Sequence, residues 1–285
     1  MKEIRTLVED IYTLFDTGAD EVNEEALHEL GENIKENIRR RFKETKKEPV
    51  KPDLRMSNLG TKDRKLWYIM NTPPEESSKE FDPPTKIKFL YGDILEELLL
   101  FLCKQAGHTV EGAQDECSIE GVLGHRDAKI DNVVIDVKTA SGYGFKKFQT
   151  GALARGDDPF GYIAQISGYQ KADTTANQDE VGFLAINKES GEICLLEIDT
   201  IDLIDPVKRI HDVKNFVSKP QPPEEKCYDP IPDGTSGNMI LQKPCAQWCP
   251  FRDKCWSNLR FFKYSNEVKA FTHISKEPRV EEVFP

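Results

Sequence analysis

The stretch that most narrows what this chain can fold into runs from Gly124 to Lys138, reading GHRDAKIDNVVIDVK. Val133, Val134 and Ile135 are β-branched, and Asp131-Asn132 is a two-residue turn that tolerates positive φ, so the segment predicts a β-hairpin. In that register Ile130 pairs with Val133, Ala128 faces Ile135, Asp127 faces Asp136, and His125 comes opposite Lys138. Directly opposed side chains stand about 4.5–5.5 Å apart at Cβ, and like charges there destabilise a sheet. Period two puts Asp136 and Lys138 on one face and Ile135 and Val137 on the other. Two carboxylates held this close call for a shared proton or a divalent cation. A solvated surface hairpin with incidental charges is the plainer alternative, and a register slip of one residue would undo the pairing.

Around this hairpin the sequence alternates helix and strand signals, which reads as an α/β fold. Amphipathic helices are predicted at 3–16 and 22–44, and a short helix carries Arg64, Lys65, Leu66, Trp67 and Tyr68. A strongly apolar helix covers 86–105, after a proline-containing loop or linker at 71–85. Strands follow near 108–122, 123–130 and 133–139. Asp158-Pro159 starts a helix near 159–173, and strands at 181–188 and 192–198 precede a helix at 202–217. From 218 onward prolines, glycines and cysteines predict a loop-rich appendage. The division expected is a helical region 1–52, a core 53–217 and a Cys-rich region 218–285.

The 285 residues carry 39 Lys+Arg against 50 Asp+Glu, a net charge of -11. No segment approaches the ~20 apolar residues of a membrane span. Cys103, Cys117 and Cys194 read as small buried hydrophobes. Cys227, Cys245, Cys249 and Cys255 crowd into the last fifth of the chain, as metal-binding thiols do in a reducing compartment. Such a set holds either a [4Fe–4S] cluster or a structural zinc. The net charge argues at face value against a nucleic-acid partner. Residues 33–65 qualify that argument, with twelve Lys/Arg against five acids. Among them Arg55, Lys62, Arg64 and Lys65 lie beside Trp67 and Tyr68, a mixture suited either to single-stranded DNA or to an ordinary solvated helix face. Phe145, Lys146 and Lys147 follow the hairpin and extend the candidate path. His125 is a candidate phosphate contact or a structural histidine.

Glu96 and Glu97 interrupt an apolar run, and an ionised glutamate is almost never buried without a partner. Gly92 shares a helix face with Glu96 and is expected to leave room for close approach. Tyr162, Gln165 and Tyr169 share a face of the helix near 159–173. In order, Gly92-x3-Glu96, Gly124-x2-Asp127, Asp136-Val137-Lys138 and Gln165-x3-Tyr169 resemble the four motifs of the PD-(D/E)XK nucleases. Within that superfamily they are similar to the RecB-type exonucleases, including the CRISPR-associated iron–sulfur exonucleases and their phage-borne relatives. Cys245-x3-Cys249-x5-Cys255 resembles that branch's downstream cysteines. Lys62 stands where an upstream cysteine is usual, which leaves Cys227 as the fourth ligand.

The resemblance implies a restriction-endonuclease-like mixed β-sheet flanked by helices, with N-terminal helices and an iron–sulfur appendage. It implies Mg²⁺ or Mn²⁺ held by Glu96, Asp127, Asp136 and the Val137 carbonyl, with Lys138, Gln165 and Tyr169 completing a catalytic set. The activity expected is hydrolysis of single-stranded DNA or DNA ends in recombination, repair or replication. The compartment expected is the cytoplasm of a bacterial or phage-infected cell. A non-catalytic DNA-binding or assembly module on the same fold, and a structure-specific endonuclease, are the alternatives.

Overall fold

The structure, a computed structural model, describes residues 2–44, 52–73, 76 and 81–284. Its helices are α1 (Leu7–Thr17), α2 (Glu24–Glu44), α3 (Asp63–Asn71), α4 (Pro83–Gln105), α5 (Gly142–Gln149), α6 (Tyr162–Ala172), α7 (Pro206–Val217), α8 (Lys243–Ala246) and α9 (Arg252–Cys255). The chain divides into two compact units, one of residues 1–48, 54–60 and 80–211, the other of 49–53, 61–79 and 212–285. The division places α1 and α2 with the first unit and α3 with the cysteine-bearing second, whereas the sequence suggested a separate helical region 1–52 and α3 within the core.

The first unit is mixed α/β. Its sheet has the order β1 (Val110–Glu111), β4 (Ala128–Ile130), β5 (Val133–Ala140), β6 (Glu180–Asn187), β7 (Ile193–Asp199), and β2 (Glu116–Ile119) and β3 (Val122–His125) form a separate ribbon. Strands β5 and β6 are parallel and the other neighbours antiparallel, so the sheet is mixed. Ile135 and Val137 point into one apolar cluster with Leu7 and Ile11 of α1, Leu99 and Cys103 of α4, and Leu184 and Ile186 of β6. On the other face Phe183 meets Phe148 of α5 at 5.7 Å and Tyr162 of α6 at 6.2 Å. Burial on both faces explains why β5 and β6 are near-continuous apolar runs. Asp136 therefore stands as a charge in a core row.

The hairpin register agrees with the sequence reading. Ala128 pairs with Ile135 and Ile130 with Val133, with φ of 48° at Asp131 and 70° at Asn132. The strands before it need correction, because 108–130 breaks into four short pieces. Positive φ at Gln114 and Glu120 turns the chain, and the buried Arg126 interrupts it again to pair with Asp173 and, at 2.9 Å, with Asp115. The β4–β5 ladder consequently ends at Ala128, Asp127 lies in the break, and His125 pairs with Glu116 on the ribbon rather than standing opposite Lys138. Helix α4 begins three residues before the expected start. Asp82 accepts a hydrogen bond from the Thr85 amide at 3.0 Å, and Pro83 and Pro84 occupy the first turn, where no intrahelical donor is needed.

The second unit is more regular than a loop-rich appendage. It holds a five-stranded antiparallel sheet in the order β12 (Glu282–Val283), β10 (Arg260–Lys263), β11 (Val268–His273), β9 (Met239–Ile240), β8 (Ile231–Pro232). Strands of two to six residues between prolines and glycines give too short a period for sequence alone to register. Leu241, Cys245 and Ala270 form its small core, with Tyr228, Trp256 and Phe261 packed against it. Helix α3 is tied in by its aromatics, Tyr68 stacking on Phe251 at 5.5 Å and the Trp67 indole donating to the Lys219 carbonyl at 2.9 Å. Among the described residues no helix is long and apolar enough to cross a membrane.

Candidate functional site

The first unit gathers three carboxylates and one ammonium. Asp136 comes from the middle of β5 and is 0% exposed. The Lys138 ammonium, two residues on and on the same face, lies against Asp136 Oδ2 as an ion pair, outside hydrogen-bonding direction. Neither Asp136 oxygen accepts a directed hydrogen bond. Asp127 reaches back from the strand break, and its Oδ2 accepts from the Val137 amide at 2.7 Å. Glu96 arrives from α4, with the Gln114 side-chain amide donating to its Oε1 at 2.6 Å.

Burial, then the neighbouring charges of Asp136 and Glu96, push the Asp127 carboxyl well above its ordinary range. Burial and the adjacent Glu97, with a further contribution from Asp136, push Glu96 up to about 7. Lys138 moves the other way. Burial disfavours its charge, but Asp136 and Asp127 outweigh that and hold it protonated above the usual lysine range. The sum is a buried site with more negative charge than one lysine can balance.

Helix α6 lines the same spot. The helix starts at Tyr162 with Gly161 in the cap position, three residues later than Asp158-Pro159 suggested, and Asp158 accepts from the amides of Gly161, Tyr162 and Ile163 at 2.8, 3.0 and 2.9 Å. The Lys138 ammonium lies 5.0 Å from the Tyr162 ring centroid. Gln165 donates to the Tyr169 hydroxyl at 3.1 Å, and burial, with Asp136 and Asp127 nearby, raises that phenol above its ordinary value. Gly124 has a packing reason, since a Cβ there would come within 2.7 Å of the Tyr169 ring and 2.9 Å of Met56. The expected close approach at Gly92 is not found, because a Cβ there would meet nothing within 4 Å.

The sequence reading took Glu96 rather than its neighbour Glu97, and α2 shows what Glu97 does instead. Asn33 and Asn37 donate to the two oxygens of Glu97 at 2.9 and 3.1 Å, which makes Glu97 a fully used structural acid. Gln114 was missed altogether. It carries φ of 59° in what looked like a continuous strand, and no composition signal marked it.

In the second unit the four late cysteines lie within electrostatic reach of one another. Burial and neighbouring thiols raise Cys245 to about 11 and shift Cys227 and Cys249 upward. Against this, N–H groups face the sulfurs. The Lys65 amide favours ionised Cys227, the Phe251 amide favours ionised Cys249, and Arg64 Nε donates to Cys255 Sγ at 3.4 Å. The buried Trp256 indole N–H forms no regular hydrogen bond and favours ionised Cys245. The absence of a cysteine at Lys62 therefore does not detach α3 from this group. Among the described residues no group of three or more His, Cys, Asp and Glu side chains stands drawn up as a metal site.

The candidate DNA contacts fall in both units. Arg55 and His125 are exposed in the first unit, as is Lys146. Lys147 is engaged by Asp157 at 2.6 Å, and Phe145 is a core residue, 2% exposed. In the second unit Lys62 is exposed, with its ammonium 5.9 Å from the Tyr228 ring, while Arg64 and Lys65 are turned to the cysteines.

No family model matches this sequence. No curated protein matches it either. Among solved structures, the crystal structure of SSO0001 aligns with 18% identity and a TM-score of 0.41 over 76% of this chain and 93% of that one. A likeness that slight carries no argument, and the functional reading rests on the residues.

Proposed function

We propose that this chain is a metal-dependent DNA exonuclease of the PD-(D/E)XK type, similar to the RecB branch, with the mixed sheet serving as a restriction-endonuclease-like core. The observation that carries the reading is Asp136, a wholly buried carboxylate without a directed hydrogen bond, beside Asp127 and within the field of Glu96. Burying an ionised carboxylate costs several kcal/mol, and the one Lys138 ammonium, shared with Asp127, offsets it only in part. A divalent cation removes that cost, and three carboxylates with the Val137 carbonyl are the hard oxygen donors that Mg²⁺ or Mn²⁺ prefers. When bound, such an ion supplies charge neutralisation at the phosphate and a more acidic water.

The residues do the rest. Lys138, kept charged by Asp136 and Asp127, stabilises negative charge developing on the phosphoryl oxygens and orients the attacking water. The Val137 amide fixes the Asp127 carboxylate, and Gln114 fixes Glu96. Gln165 and Tyr169, joined to each other, position the phosphate. Cys227, Cys245, Cys249 and Cys255 are the donor set for a [4Fe–4S] cluster, with structural zinc the competing occupant. The N–H groups facing three of the sulfurs suit either by offsetting thiolate charge.

The test uses end-labelled linear and closed circular DNA, single- and double-stranded, with Mg²⁺, Mn²⁺ or EDTA. Stepwise release from ends in Mg²⁺ or Mn²⁺, abolished in D136A and K138A, is expected. Cleavage of closed circles would identify an endonuclease, and no cleavage by wild type would leave the binding-module alternative. Brown protein with stoichiometric iron is expected; zinc without iron would exclude the cluster.

A further inference from the structure

Helix α4 delivers Glu96, and the two turns before that residue are built unlike the rest of the helix. Phe89 is 39% exposed and Phe81, just ahead of the helix, 55% exposed. The two rings meet edge-on at 5.0 Å. Large rings that contact each other in solvent rather than the core mark an interaction site more than scattered exposed side chains do. Phe89 and Glu96 are seven residues apart, hence on one helix face about 10 Å from each other. Between them that face passes over Gly92, where even a Cβ would meet nothing within 4 Å. Glycine inside a helix is destabilising relative to alanine. No packing neighbour requires it at 92, so what the residue provides is a bare stretch of helix leading from Phe89 to Glu96.

Cations border this stretch. Helices α2 and α4 run antiparallel, as the pairings Asn33 and Asn37 with Glu97 and Arg41 with Asp93 show. The basic end of α2 therefore lies along the start of α4. Asp93 holds Arg41 through two hydrogen bonds of 2.6 and 2.7 Å, and its guanidinium lies 5.7 Å from the Phe89 ring. Arg40 is 3.6 Å from the same Asp93, and Lys88, one turn before Gly92, is exposed. Arg40 and Arg41 are thus paired with Asp93, and Lys88 is an exposed cation beside the rings.

We propose that Phe81, Phe89 and the bare turn at Gly92 form a track on which a single strand of nucleic acid approaches Glu96, its bases stacking on the rings and its phosphates lying toward Arg41 and Lys88. Rings beside cations match a polyanion that carries exposed π-faces. A duplex keeps its bases paired and offers only its backbone. An apolar peptide would cover the rings and leave the exposed Lys88 unmatched, and a second copy of this chain is the occupant that sedimentation tests. The destination of the strand rests on the nuclease reading; the binding does not.

The test is anisotropy of a short fluorescein-labelled single strand with the full chain in EDTA, where affinity is read without cleavage. F81A and F89A should each weaken binding about five- to a hundredfold, the range for losing one base–aromatic stack. F89W should retain it, and an abasic strand should bind F89A and wild type alike. G92L should weaken binding, whereas G92A should bind as wild type and melt no lower. Wild-type affinity in F89A with an unchanged melting temperature overturns the track, as does a wild type that binds no single strand. A change in sedimentation in place of affinity overturns it in favour of self-association. If F89A neither loses affinity nor slows a measurable cleavage, the track fails and the nuclease reading stands. If wild type binds through Phe89 and never cleaves, the track stands and the nuclease reading fails.

Discussion

Asp127 and Asp136 show how one carboxylate can be held by the backbone while its neighbour is left to a cation. The Val137 amide serves Asp127 at 2.7 Å, whereas Asp136, deeper in β5, has only the Lys138 ammonium against it. An asparagine at 127 could still accept from that amide while removing one charge from the cluster. D127N should therefore raise the stability of metal-free protein by about 1 kcal/mol, seen as a melting rise of about 2–4 °C, and abolish Mg²⁺-dependent cleavage. Unchanged cleavage with a lower melting temperature would show that Asp127 is a structural acid. Asp136 and Lys138 could be singled out from the sequence because strand period two puts them together. Glu96 was picked out by its spacing from Gly92, but what occupies Glu97 was not legible, because its partners are two asparagines some sixty residues upstream on α2.

Among the elements, the hairpin was legible and its approach was not. The turn chemistry of Asp131-Asn132 and the β-branched run specify the register locally, so Ala128 and Ile135 pair as read. The breaks at Gln114, Glu120 and Arg126 arise from contacts made elsewhere, Arg126 with Asp173 on the far side of α6 being the clearest. Gly124 joins the two levels. It sits on β3 where Tyr169 of α6 packs over it, and its hydrogen atom is the only side chain that fits. G124A should cost about 1–3 kcal/mol by urea denaturation, the range for overpacking a core. It should also displace Tyr169 and lower cleavage more than substitutions of equal destabilisation placed elsewhere. Wild-type stability would mean that Met56 and the ring can move aside without loss.

At the scale of the whole molecule, the acid cluster ties stability to pH and to divalent cations. Glu96 is held at about 7 in the folded chain against an ordinary 4.5. Between those values the folded state binds more protons than the unfolded one, so stability falls as pH rises. In EDTA the protein should be more stable at pH 5 than at pH 8, by on the order of a kcal/mol. Mg²⁺ competes with that proton, so it should raise the melting temperature most at pH 8 and flatten the decline. Thermal melts at both pH values, with and without Mg²⁺, check this, and stability in EDTA that climbs with pH would count against a shared acid site. The net charge of -11, which at first argued against nucleic acid, averages over this cluster and over the basic end of α2.

What the sequence by itself determined is the local part: the hairpin register and the face shared by Gln165 and Tyr169. These follow from turn chemistry and from periods of 2 and 3.6, which act over a few residues. The tertiary structure alone decided that Glu97 is held by two asparagines, that Arg64 turns to a sulfur, that α3 belongs with the cysteines, and that the last quarter of the chain forms a sheet. Each of these depends on burial against a distant segment, where an unsatisfied charge or an unpacked ring costs more than any local preference can offset.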